Sequence, residues 1–166
     1  MRNQHIITPN IPDKQLSVRN YVRPRINRET GNYEKHLPLA SWIGPQSDVV
    51  RRLDEGVKPT TKVDRGAMRH DIDYYNIRSG LRKKAIAIPR AKQLARQSDN
   101  RLINTAKSNL ISFNPVNSAH AAATLAGMKT KTIAEDIGKL DRLKFVGAGR
   151  VKDPLRKMRA AMINKN

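Results

Sequence analysis

The sequence predicts a mainly α-helical protein whose core is two packed antiparallel helices, flanked by basic extensions. Three observations lead there. Residues 60–79 and 90–111 each carry an apolar stripe at helical spacing, bounded by start and stop signals. The stretch between them is short, so the two helices are expected to pack as antiparallel neighbours. Hydrophobic residues are 38% of the 166 and aromatics 4%, which suits one small aliphatic core, and there is no cysteine for a disulfide framework or a thiolate metal site.

In chain order, residues 1–36 read as an irregular basic arm, with proline at 9, 12 and 24 and no apolar period. A domain is expected at 37–113, and 114–166 reads as a small-residue linker followed by a basic helical tail. HLPLASWIGPQSD, at 36–48, holds the only tryptophan and the turn pair Gly44-Pro45. Thr61 can cap the first helix, with Asp64 three places on in a capping-box-like start, and Gly80 fits its stop. Gly66 in its first turns costs ~1 kcal/mol relative to alanine. LRKKAIAIP, at 81–89, can be strand, extended connector or helix. Pro89 opens the second helix and SFNP closes it. Residues 117–127 are small and apolar, and 130–145 suit a short helix. FVGAG, at 145–149, reads as a hinge or processing site, and Leu155, Met158 and Met162 recur at helical spacing among basic residues.

The formal net charge of +19 predicts an anionic partner, either nucleic acid or a membrane surface. Its distribution is uneven. Residues 42–77 carry six basic and six acidic side chains, whereas 78–107 carry nine and one. No apolar run is long enough to span a membrane, and the N-terminal MRNQHIITPNIPDK lacks the apolar region of a secretion signal.

The neutral segment contains DRGAMRHDIDYYN at 64–76. On the first helix Val63, Ala67, Tyr74 and Ile77 share a stripe, and His70 fills its one gap, with Asp71 at the edge. On the second, Ala95, Leu102, Ile103, Ala106 and Leu110 share a face on which Asp99 also falls. A carboxylate on an apolar face requires a partner. Two packed helices would bring His70 and Asp99 together, so a hydrogen bond between them is expected. A carboxylate on one imidazole nitrogen fixes the tautomer and leaves the other nitrogen as a base. Asp71 would then be available to bind a cation beside it. Singly, these residues read as a core histidine and a surface aspartate; their shared face is what points to hydrolytic chemistry.

WIGPQSD, LDEG, Pro59 and the spacing Asp64, Ala67, His70, Asp71, Tyr74 resemble the phospholipase A2 domain of the unique N-terminal region of parvovirus minor capsid proteins. SDNRLI, at 98–103, is similar to that family's segment carrying the second catalytic aspartate, here Asp99. The likeness covers roughly 42–110. It implies a phospholipase A2-like core with an N-terminal calcium loop. Calcium would be held by Asp71 and by the carbonyls of Trp42, Gly44 and Gln46, which are hard oxygen ligands. His70 would be the base, Asp99 its orienting carboxylate, Tyr74 a hydrogen-bond partner of Asp99, and the Gly44 amide an oxyanion donor. Gln46 stands where the family pattern has glycine, which predicts a strained backbone. The resemblance implies hydrolysis of the sn-2 ester of phospholipids by a virion component at a host endosomal membrane. The alternative is a basic minor virion protein that binds nucleic acid or capsid through its arms.

Overall fold

The structure, a computed structural model, describes residues 5–136. It is mainly helical: α1 (Val49–Asp54), α2 (Lys62–Arg82), α3 (Ile88–Lys107) and α4 (Pro115–Asp136), with two short 3-10 turns before them. No strand is formed among the described residues, only an isolated bridge between Ile26 and Tyr33.

α2 and α3 pack against each other along their length. Val63, Ala67, Tyr74 and Ile77 are buried on α2, as are Ala95, Leu102 and Ala106 on α3. The Thr61 side chain caps α2 by accepting from the Asp64 amide. Gly66 lies against α3, where a Cβ would stand 3.0 Å from Thr105 Cγ2. The helical cost of that glycine therefore goes with close packing of the two helices.

Several boundaries differ from expectation. α2 continues past Gly80 to Arg82, because Gly80 packs against Ile86 instead of turning the chain. α3 ends at Lys107, so Leu110 lies beyond it and is partly exposed. The segment expected as a small-residue linker is α4. Asn114 caps this helix through the amides of Val116 and Asn117. Alanine favours the helix, and Ala121, Leu125 and Met128 give it a stripe that joins the main core. FVGAG, the tail residues Leu155, Met158 and Met162, and the part of 130–145 beyond α4 lie outside the described residues.

Residues 5–36 are irregular yet tied into this body. Ile11 enters the main core, and Asn76 of α2 pairs with both backbone groups of Ile6. Glu34 is fully buried and receives the Arg52 guanidinium through two bonds, at 3.0 and 2.7 Å, and the Asp48 amide at 2.7 Å. His36 bridges Arg52 and Ser47. Burial opposes ionisation of Glu34, but Arg52 and the amides of Asp48 and Arg25 pull its pKa down to about 2. Burial and the Arg52 charge hold His36 down at about 4.

These shifts set a pH dependence. Between about 6.5 and about 4 the unfolded chain protonates His36 and the folded chain does not, so this residue makes stability fall as pH falls. His70, whose pKa is raised, acts in the opposite sense. The stability lead of the wild type over His36→Gln is therefore expected to shrink from pH 7 to pH 5 in urea titrations. A lead independent of pH would contradict the assignment.

Candidate active site

His70, at mid-α2, meets Asp99, at mid-α3, as the helix phase requires. Its Nε2 lies 2.8 Å from Asp99 Oδ1. The Tyr74 hydroxyl donates to the same oxygen at 2.7 Å, and the Tyr74 and His70 rings stack at 4.3 Å between centroids. Lys131, from α4, donates to the other carboxylate oxygen, Oδ2, at 2.6 Å and also bonds the Tyr74 hydroxyl. Side-chain exposure is 14% for His70, 6% for Asp99 and 10% for Lys131. Burial raises the pKa of Asp99, but the His70 bond and the Lys131 charge outweigh it, and the carboxyl is held below its ordinary value.

Asp99 is thus an anion that only accepts, so His70 Nε2 must carry the proton it donates. In the neutral ring that leaves Nδ1 as the unprotonated nitrogen. It faces Asp71, whose Oδ1 is 3.6 Å away. Burial disfavours the imidazolium of His70, yet the carboxylates of Asp71 and Asp99 overcome this and raise its pKa. Such a ring readily accepts a proton at Nδ1.

Asp71 Oδ2 is buried with no hydrogen-bond partner. An orphaned carboxylate oxygen in this position is costly unless a cation meets it. Among the described residues no three His, Asp or Glu side chains gather as a metal site, so further ligands would be backbone carbonyls, neutral side-chain oxygens or water.

The loop 41–48 is held in place from two sides. Asp64 accepts from the amides of Ser41, Trp42 and Ile43 at 3.1, 2.8 and 3.0 Å, and from that of Thr60 at 2.9 Å. The carboxylate expected to cap a helix therefore gathers the start of a loop as well. Trp42 is fully buried, and its indole N–H donates to the Val57 carbonyl. The far side is stitched to the N-terminal segment, with the Lys35 amide on the Pro45 carbonyl and the Leu37 amide on the Ile43 carbonyl. Gly44 has φ +151°, and a Cβ there would stand 1.8 Å from the Lys35 carbonyl oxygen. Only glycine fits.

Gln46 adopts φ +70°, a left-handed conformation that a side chain strains. Its carbonyl accepts from Asn27 Nδ2 at 2.9 Å, and that of Gly44 from Ser47 Oγ at 3.5 Å; each keeps a second lone pair. Gln46→Gly is expected to relieve the strain and raise stability by up to ~1 kcal/mol in urea unfolding. A loss of stability would mean that the glutamine side chain contributes contacts that outweigh the strain.

A cleft of about 230 Å³ opens beside His70, lined by Arg69, Asp73, Ser98, Arg101, Leu102 and Thr105 among others. A larger cavity of about 500 Å³, between the N-terminal segment and the α2–α3 turn, does not reach His70. No family model, curated protein or solved structure matches the chain.

The residue that sequence reasoning missed is Lys131. A signal existed, because it follows Met128 by three on the buried stripe of α4. The partner of that stripe could not be read from spacing.

Proposed function

We propose that this chain is a calcium-dependent phospholipase A2 that hydrolyses the sn-2 ester of phospholipids, a virion component acting on a host endosomal membrane. The observation that carries the reading is the His70–Asp99 pair, with His70 Nδ1 turned to Asp71, whose other oxygen is buried with no hydrogen-bond partner. The resemblance of the GP loop, LDEG and HD segments supports the choice of substrate.

In this reading His70 Nδ1 accepts a proton from a water, and that water attacks the sn-2 carbonyl. Asp99 stabilises the imidazolium that forms and keeps the ring in plane, while Tyr74 steadies Asp99. The Gly44 amide is the proposed donor to the developing oxyanion. His70 then returns its proton to the departing lysolipid oxygen. Asp71 and the carbonyls of Trp42, Gly44 and Gln46 would hold calcium, which when bound supplies Lewis-acid stabilisation of the ester oxygen.

Two further features favour a lipid surface. Ile111 and Phe113, in the α3–α4 turn, are fully exposed, while Ser112 between them bonds the Ser118 side chain. The net charge of +19 favours an anionic bilayer, at ~1 kcal/mol per side chain near the surface. The decisive test is release of sn-2 fatty acid from mixed zwitterionic and anionic vesicles, with calcium and with chelator. Calcium-dependent release is expected. No release from folded protein at millimolar calcium would overturn the reading in favour of nucleic-acid or capsid binding.

A further inference from the structure

We infer that Lys131 is a positioning residue of the His70–Asp99 pair, and that α4 is therefore part of the catalytic unit. This inference rests on the phospholipase reading. The argument is one of donors and acceptors. Asp99 has one oxygen on His70 and Tyr74 and the other on Lys131. An ammonium has donors only, so the Tyr74 oxygen accepts from Lys131 and must spend its own proton on Asp99. Lys131 thereby fixes which way the Tyr74 hydroxyl points as well as the tilt of the Asp99 carboxylate.

The placement is specific. The Lys131 ammonium also lies 4.9 Å from the centre of the Tyr74 ring and 3.6 Å from Glu135, one turn on. Its side chain is nearly as buried as Asp99 itself. A lysine so enclosed is held by its partners rather than by solvent. α4 is in turn anchored near its start, where Asn117 accepts from the Val63 amide and His120 bonds Thr61 and the Pro38 carbonyl. The helix is thus registered against the first turn of α2 and delivers Lys131 several turns later to the middle of that same helix.

The test compares Lys131→Met, which keeps the aliphatic stem, with Lys131→Arg, which restores donors and charge. On vesicles, kcat of Lys131→Met is expected to fall about 10- to 100-fold with KM unchanged, and Lys131→Arg to recover part of the loss. A structural role alone would lower the melting temperature without this split. Nitrogen-15 NMR of the His70 ring gives a readout independent of turnover. At a pH high enough to keep the ring neutral, the wild type is expected to show a single Nε2–H tautomer, and Lys131→Met a mixed or rapidly exchanging ring. Folded Lys131→Met with wild-type kcat and an unchanged His70 tautomer would overturn the inference. Absence of turnover in the wild type would instead sink the phospholipase reading, and the NMR comparison would still decide the role of Lys131.

Discussion

His70→Ala is expected to lower kcat/KM for fatty-acid release at least ~10³-fold while leaving a folded protein. The ring supplies a base that is both oriented by Asp99 and next to Asp71. Without it, water must lose its proton unaided. The fold should survive, because Asp99 keeps Tyr74 and Lys131 as donors and is not left as a bare buried charge. The loss of a stacked, mostly buried ring is expected to reduce stability by ~1–3 kcal/mol. Fatty-acid release and a thermal melt on the same sample check both halves. A folded variant that keeps more than about a tenth of the activity would remove His70 from the chemistry.

Gly44→Ala is expected to destabilise the chain by ~3 kcal/mol or more and to abolish release at any calcium concentration. The added Cβ would meet the backbone of Lys35 and His36, which cannot swing aside as a side chain could. Relief would require breaking the bonds that tie the loop to Lys35 and Leu37 and moving the carbonyls proposed as ligands. Urea unfolding and calcium titration of the variant check this. A Gly44→Ala protein with unchanged stability would mean that the loop adopts another path in solution. Gln46→Gly is its counterpart, since one substitution adds strain to the loop and the other removes it.

Much of the site was legible in the chain because it depends on helical phase. His70 and Asp99 each interrupt an apolar stripe, and 3.6 residues per turn is a property of the backbone alone. The partnership of Asp64 with three loop amides was less legible. Its position at the start of a helix predicts a cap, and a capping carboxylate and a loop-gathering one look identical in sequence. Gly80 misled for a similar reason: a glycine near a helix end signals a stop, but here it makes room for Ile86.

By itself, then, the sequence determined the mainly helical class, the pairing of the two long helices and the polar residues that face one another across them. These follow from periodicity, capping and the cost of burying a lone carboxylate. Only the tertiary structure decided that the small-residue segment is a helix, that Lys131 completes the Asp99 cluster, and that Glu34, Arg52 and His36 buttress the loop from behind. Those contacts join residues up to 57 positions apart, as Lys131 to Tyr74 does. No local period encodes such distances, which are set by how the packed helices close on one another.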